Sequence, residues 1–484
     1  MSESLLMIAG IALPALGAPV IAVLGRWPNI RDGAALVIAA STFAIVYQLY
    51  IPVKIGLRPT LHILDLASDL TLSFHIEPLG MLFALVASSL WILTLLYAIG
   101  YMRSHHEKNQ TRFFSFFSIA IAAAIGAAFS GNMLTLFFFY ELLTLSTYPL
   151  VTHHRNPASL KAGRIYMGIL LSTSIGFLLL AIVLTYIFAG NLSFTPGGIL
   201  TGKTSDLMTG ILLLLYAYGT GKAALMPIHS WLPNAMVAPT PVSALLHAVA
   251  VVKTGVFTIV KVVIYIFGVN NLSNIDSHVF LTYSATFTIV VASLIALRQD
   301  NLKARLAYST VGQLAYIILG ASLANGDGIV GASLHIALHA FGKITLFFCA
   351  GAIMVSLHKT EISDMYGIGR QMPITMAAFF IASLSIIGLP PLGGTWSKWY
   401  LLSGTLEAGF TFATVALLTS SLLNIAYLLP IPIKAFFYTN KDQNNQFSEA
   451  PLCCVIPLVL TATISIGLFI YPDPLLSLCN QLIE

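Results

Sequence analysis

Five ionisable side chains interrupt long apolar stretches of this 484-residue chain: Glu141, Lys222, Lys253, Lys343 and Lys398. Their settings are TLFFFYELLTLSTYPLV, ILLLLYAYGTGKAALM, ALLHAVAVVKTGVFTIVKVV, SLHIALHAFGKITLFFCAG and GLPPLGGTWSKWYLL. A charge at the centre of a bilayer costs a few kcal/mol on insertion scales, so it persists only against water, other helices or an opposite charge. One such residue could be an accident of packing. Four lysines and one glutamate along one chain read as a charge relay or ion path. Glu141 lies among Phe137–Tyr140 and Leu142–Leu145, and Lys222 is its expected partner. Making or breaking a buried lysine–carboxylate pair changes the lysine's proton affinity, which is what a gated proton relay needs.

Histidines extend the pattern. His335, His339 and Lys343 follow an i, i+4, i+8 spacing, drifting about 40° per step, so all three line one helix face. A metal site there lacks a carboxylate or cysteine on the same face, and a proton path is the better reading. His247 lies six residues before Lys253 and so on a different face. His229, in PIHSWLP, and His247 are access or accessory positions. Lys261 is expected to snorkel to the interface, and Glu407 to mark the outer end of its span. Lys398, taken as equally buried with Lys343, would end the path.

The elements that carry these residues are membrane helices. Hydrophobic residues make up 57% of the chain and charged residues 8%, against about 25% charged in soluble domains; mean hydropathy is +0.88. The net charge of +5 is too small to suggest a nucleic-acid partner. Cys349, Cys453, Cys454 and Cys479 show no metal spacing. Neither a phosphate-binding loop, a dinucleotide fingerprint nor an iron–sulfur set occurs, so no cofactor and no redox centre is expected. The first apolar stretch is long enough to span and lacks a basic region before it, unlike a cleavable leader.

Apolar runs of about 20 residues predict an all-α integral membrane protein of about fourteen spans. They fall roughly at 4–25, 33–53, 78–101, 112–129, 131–151, 162–189, 206–226, 240–268, 278–298, 303–323, 328–357, 374–405, 409–437 and 452–472. Between the second and third, about residues 57–76, a period of two in Leu70, Leu72, Phe74 and Ile76 predicts a small extracytoplasmic β-hairpin turning near Ala67–Asp69. Two spans carry breaks: Gly219, Gly221 and Pro227 around Lys222, and Gly388, Pro390, Pro391, Gly393 and Gly394 before Lys398. Interrupted segments in corresponding halves point to inverted repeats, here two five-helix units formed by spans 4–8 and 9–13. The expected divisions are 1–111 (three helices and the hairpin), 112–437 (proton-conducting core) and 438–484 (the last helix).

Odd-numbered connections are basic apart from the seventh: Arg26 and Arg31; Arg103, Lys108 and Arg112; Arg155, Lys161 and Arg164; Lys303 and Arg305; Lys359 and Arg370; Lys441. Even-numbered ones hold little beyond Lys54, Arg58 and Lys203. The positive-inside rule then places both termini outside the cytoplasm of a cell inner (plasma) membrane.

Several stretches carry a resemblance: FFYELLTLSTYPLV, KAALMPIHSWLPNAMVAPTPVSALLHAVAVVKTGVF, DNLKARLAYSTVGQLAYI, LHIALHAFGKITLFFCAGAI and GLPPLGGTWSKW. Over roughly residues 75–430 the chain resembles the large antiporter-like membrane subunits of respiratory complex I, Mrp-type multisubunit sodium/proton antiporters and membrane-bound hydrogenases. The resemblance implies fourteen helices with two inverted five-helix repeats and two broken helices. By motif it equates Glu141 with the fifth-helix glutamate, Lys222 with the lysine of the broken seventh, and Lys253 with that of the eighth. His335, His339 and Lys343 correspond to the eleventh-helix relay, and Lys398 to the lysine of the broken twelfth. One class of these subunits has glutamate at the last position, and lysine argues against that class. The chain also ends after its fourteenth span, without a lateral helix or C-terminal extension. LPPLGGTWSKWYLL resembles D-type Mrp subunits, so the expected function is proton translocation within an Mrp-type cation/proton antiporter. The alternative is a proton-pumping subunit of a complex I-like NADH-quinone oxidoreductase or membrane-bound hydrogenase. Implied partners are other membrane subunits, protons and sodium.

Overall fold

In a bilayer a helix satisfies its own backbone hydrogen bonds, so runs of apolar residues with few charges settle as helices. The computed structural model describes residues 2–67, 70–438 and 446–483 and is mostly helical. Eleven of its helices are long and apolar enough to cross a membrane. They are Glu3–Arg26, Pro28–Lys54, Pro78–Ser104, Gln110–Phe129, Met133–Val151, Pro157–Ala189, Thr240–Phe267, Asp276–Arg298, Gly326–Leu357, Thr411–Phe437 and Leu452–Ile470.

Three expected spans differ from these, each for a visible reason. The stretch 206–226 is α-helical only over Asp206–Gly219, and 374–405 divides into Pro373–Ile387 and Gly394–Glu407. Glycine and proline at both breaks stop the helix. Leu302–Ser322 is long enough, but Lys303, Arg305, Ser309, Thr310 and Gln313 make it less apolar.

Helix starts follow local chemistry. Asn132 accepts a hydrogen bond from Thr135 N at 2.8 Å, Asn325 from Gly328 N at 2.9 Å and Asn301 from Ala304 N at 3.1 Å. Each such cap is worth about 1 kcal/mol. Buried hydroxyls along the helices mostly bond carbonyls one turn back, as Thr254 does to Ala250 O and Thr258 to Thr254 O.

The two-stranded antiparallel sheet joins β1 (Thr60–Ala67) to β2 (Leu70–His75), pairing Thr60 with His75 and Ala67 with Leu70. Its turn at 68–69 lies outside the described residues, as does Lys441. Phe74 is buried while Leu64 and Leu66 stay exposed. The hairpin is tied to the turn between Gln110–Phe129 and Met133–Val151. Gly131 N donates to Ser73 O at 2.9 Å, and Asn132 Nδ2 to Thr71 O at 2.8 Å. The C-terminal segment reaches the same side, where Gln481 Nε2 bonds Lys54 O at 3.0 Å. Ile8 and Ile11 of the first helix share a cavity wall with Ile63 and Leu72 of the hairpin. The far side holds the buried Arg31–Asp32 pair, with Arg31 Nη2 2.7 Å from Asp32 Oδ1, which the exposed Arg103 joins from outside. The Thr240–Phe267 helix runs through the middle, its hydropathic core wholly buried, and brings Lys253 and Lys261 into the interior.

Candidate functional site

The first break hands its lysine to a neighbouring helix. After Gly219 the chain makes a 3₁₀ turn at Gly221–Ala223, and Ala224 adopts a left-handed φ of 54°. The unwound backbone finds partners: Trp231 Nε1 donates to Gly221 O at 3.0 Å, Tyr140 Oη accepts from Lys222 N at 3.2 Å, and Thr288 Oγ1 accepts from Met226 N at 3.2 Å. Lys222 is fully buried. Its Nζ donates to Tyr140 O at 2.8 Å and Thr144 Oγ1 at 2.6 Å, and lies 3.1 Å from the centroid of the Tyr140 ring.

The expected Glu141–Lys222 ion pair is not formed. Tyr140 and Thr144 lie one turn apart and share the face that meets Lys222, whereas Glu141 is displaced by one residue, about 100° around the helix. Both Glu141 carboxylate oxygens are buried without a hydrogen-bond partner.

The second half is continuous. Lys253 Nζ lies 2.7 Å from His339 Nδ1. His339 stacks on His335 with ring centroids 5.5 Å apart. His335 reaches Ser397 Oγ through Nδ1 at 2.8 Å and Gln313 Oε1 through Nε2 at 3.1 Å, and stacks on Tyr316 at 5.7 Å. Lys398, next to Ser397, places Nζ 4.8 Å from the Tyr316 ring centroid, 2.9 Å from Ile387 O and 3.1 Å from Ser421 Oγ. Gly388, at φ 89°, leaves room for this return: a Cβ there would meet Lys398 Cδ at 2.5 Å.

Lys343 shares the histidine helix but branches away, donating to Ser309 Oγ at 2.8 Å, which in turn accepts from Tyr427 Oη at 2.9 Å. It is fully buried, whereas Lys398 is only partly so, so the two are not equally buried. His247 packs on Phe347 at 4.7 Å with both ring nitrogens unpartnered, and does not join Lys253. It lies within a five-residue π turn, Leu245–Val249, just before the Val251–Val262 helix that carries that lysine. His229 sits apart on a 3₁₀ turn, 6.1 Å from the Tyr308 ring. Burial lowers its pKa, while the Pro227 carbonyl works against that shift. Glu407 ends its helix exposed.

Lys261 does not snorkel. It is fully buried, with Nζ 2.7 Å from Glu77 Oε1 and donating to Ser130 O at 2.8 Å. An acid brought close by the fold, 184 residues earlier in the chain, offers a better partner than the interface. The other polar residues of the network, Tyr140, Thr144, Gln313, Tyr316 and Ser397, escape sequence reasoning because none is ionised at neutral pH. For Gln313 alone a signal exists, its i, i+4 spacing from Ser309 on the polar Leu302–Ser322 helix. Among the described residues, no group of three or more His, Cys, Asp and Glu side chains could hold a metal ion.

Residues 130–424 match the membrane region described as NADH:quinone oxidoreductase/Mrp antiporter, and residues 65–114 match the N-terminus of complex I chain 5. The chain belongs to the NADH:quinone oxidoreductase/Mrp antiporter family. It is a multi-pass, antiporter-like membrane subunit. NADH-quinone oxidoreductase subunit N of Desulforudis audaxviator is 34% identical over 365 residues, covering 75% of this chain and 72% of the relative. The chloroplastic NAD(P)H-quinone oxidoreductase subunit 5 of Chara vulgaris is 30% identical over 430 residues, covering 82% and 62%. The chain thus spans a little under two thirds of that longer relative. Among solved structures, an Mrp complex from a Dietzia species superposes with TM-score 0.88 at 20% identity, covering 100% of this chain and 97% of the other. The membrane-bound sulfane sulfur reductase, an archaeal respiratory membrane complex, gives 0.87 at 24%, covering 99% and 97%. These two likenesses establish a shared fold.

Proposed function

We propose that this family member translocates protons along Glu141, Lys222, Lys253, His339, His335 and Lys398, with Lys343 as a side branch and His229 and His247 as accessory groups. The contact chain from Lys253 through the stacked histidines to Lys398 carries the reading. Each link joins groups that bind and release protons or hydroxyls that pass them on. The unpartnered oxygens of Glu141 and ring nitrogens of His247 support acceptor positions for an incoming proton, since an unmet buried polar atom costs about 1–3 kcal/mol.

The reading includes fourteen crossings: the eleven apolar helices, the two broken spans and the polar Leu302–Ser322 helix. The two broken spans belong to inverted five-helix repeats. The basic connections, opposite the hairpin, face the cytoplasm of the plasma membrane, and both termini lie outside it. The parent assembly is an Mrp-type cation/proton antiporter, supported by the fold match over the full length of the chain. A redox complex is the second reading, favoured by the NADH-quinone oxidoreductase names of its relatives. Either assembly supplies membrane subunits as partners.

The test is proton flux in everted vesicles at matched protein levels. Glu141→Gln removes the carboxylate charge with little change of shape and is expected to abolish coupled flux. Near-normal flux in that variant would sink the relay. Isolation of the intact complex decides the parent: co-purifying iron–sulfur subunits and electron-driven flux would replace the Mrp assignment.

A further inference from the structure

A second buried lysine on the central helix meets a second carboxylate, outside the path just described. On the hairpin side a cavity of about 590 Å³ is lined by Arg58, His75, Glu77, Phe194, Tyr265 and Gln481 among others. Glu77, 3% exposed, belongs to that lining, and Lys261, 0% exposed, lies behind it against the carboxylate. Lys261 Nζ is gripped by Glu77 Oε1, by Ser130 O, and by the ring faces of Phe194 and Phe257 at 4.4 and 5.3 Å.

A purely structural role explains only part of this. Glu77 caps the Pro78–Ser104 helix through Oε2, accepting from Gly80 N at 2.8 Å, but a neutral serine or asparagine would cap as well. Buried ion pairs are weak sources of stability, and apolar replacements are often neutral or stabilising. The hairpin, the Gly131 turn and the loop carrying Phe194 all converge here: Phe194 N donates to Gly131 O at 3.2 Å, and Ile199 N to Ile266 O at 3.0 Å. Three connections are thus arranged around one ion pair and one cavity.

Lys261 follows Lys253 by eight residues, about 12 Å along the same helix. Phe257 lies midway, one turn from each, with its ring 5.0 Å from that of Phe83. An aromatic plug therefore separates the two lysines. At the outer edge, His75 can take a proton. Burial lowers its pKa, Glu77 opposes that shift, and Lys261 and Arg58 add to it, so at neutral pH the ring is uncharged.

We propose that the Glu77–Lys261 pair is a proton-exchange site that joins the hairpin-side aqueous phase to Lys253, gated by the Phe257–Phe83 contact. This rests on the relay reading above and adds a route to it. The Lys261 ammonium gives its proton to the Glu77 carboxylate, leaving a neutral amine and a carboxylic acid. Glu77 passes that proton to water or His75 in the cavity and becomes a carboxylate again. With Phe257 displaced, water entering from the cavity bridges the two lysines and carries a proton from the Lys253 ammonium to the Lys261 amine.

The experiment uses the whole complex in membrane vesicles, with native cysteines replaced. Asn270→Cys, at the cavity wall, is treated from the hairpin side with a bulky membrane-impermeant maleimide. Labelling is expected to cut proton flux at least fivefold relative to the same variant before treatment, and labelling of Ser273→Cys, outside the lining, is expected to leave it unchanged. Glu77→Gln and Lys261→Met are expected to lose at least tenfold at equal complex abundance, and Glu77→Asp to recover part of the flux. Unchanged flux after full labelling of Asn270→Cys overturns the proposal, and it decides the matter even where Glu77→Gln fails to assemble. Glu141→Gln runs in parallel. If it too retains full flux, the relay reading has failed; if it alone is inactive, only the hairpin-side route has.

Discussion

The two broken helices solve one problem in different ways. At the first, Lys222 leaves its own element and is held by Tyr140 and Thr144 of another helix. At the second, Lys398 folds back on its own break, held by Ile387 O, with Ser421 as a second acceptor. The packing differs likewise. Gly255 presses against main chain at the first break, where a Cβ would lie 2.4 Å from Ala223 N and 2.5 Å from Lys222 C. Gly388 presses against a lysine side chain that can move. The first lysine is therefore positioned by rigid backbone contact between helices, and the second by a local fold that has slack. A rigid station and a mobile one suit different parts of the proposed path, between which lies the stacked pair His335 and His339.

Removing the rigid station has the largest expected effect. Lys222→Ala should bring proton flux in vesicles to background, a loss of at least about 10²-fold, the scale of a missing proton-transfer group. Assembly, checked by blotting, should persist, because a neutral side chain replaces a buried cation. Appreciable residual flux would mean that the path does not cross the first break.

Next in size is the contrast between Lys398 and Lys343. Lys398→Ala should lose more flux than Lys343→Ala, since Lys343 is hydrogen-bonded to Ser309, which Tyr427 also holds, rather than to either stacked histidine. Lys398→Glu should keep partial activity because a carboxylate also exchanges protons. Equal losses in the two alanine variants at matched expression would erase the distinction between main path and branch.

The glycines test the rigid-versus-mobile comparison itself. Gly255→Ala should reduce the amount of assembled complex, as two backbones have no room to separate. Gly388→Ala should assemble yet lose roughly tenfold in flux, with about 1–2 kcal/mol of left-handed backbone strain and Lys398 pushed aside. The reverse pattern, measured by abundance against flux, would show that the second break is the rigid one.

The smallest effect lies at the connection opposite the hairpin. His153 is buried next to the Arg112 guanidinium, and burial first, then Arg112 and His154, push its pKa down from 6.5 to about 4. The fold therefore favours the neutral ring. That stabilisation is complete above pH 6.5 and is lost as pH falls from there toward about 4. Thermal unfolding of the purified complex across that window should show a decline that shrinks in His153→Phe. Parallel curves for both proteins would remove His153 as the cause.

Which residues would be costly inside a membrane was legible at once. Glu141, Lys222, Lys253, Lys343 and Lys398 stand out because hydrocarbon makes every charge conspicuous. The Gly/Pro clusters likewise announced both breaks, and the period of two announced the hairpin. Partners were less legible. The spacing i, i+4 placed His335, His339 and Lys343 on one helix face, but it revealed neither the stacking of the two rings nor the turn of Lys343 toward Ser309. The side chain turns instead to a helix whose register the sequence does not reveal.

By itself, the sequence determined the membrane setting, the broken helices and the charges that interrupt apolar stretches, since each depends on local hydropathy or backbone chemistry. Only the tertiary structure decided who meets whom. It turned Lys222 toward Tyr140 and Thr144 rather than Glu141, and Lys261 toward Glu77 rather than the interface. The physical reason is geometric: one residue rotates a helical side chain by about 100°, and helix rotation is set by packing across the whole bundle.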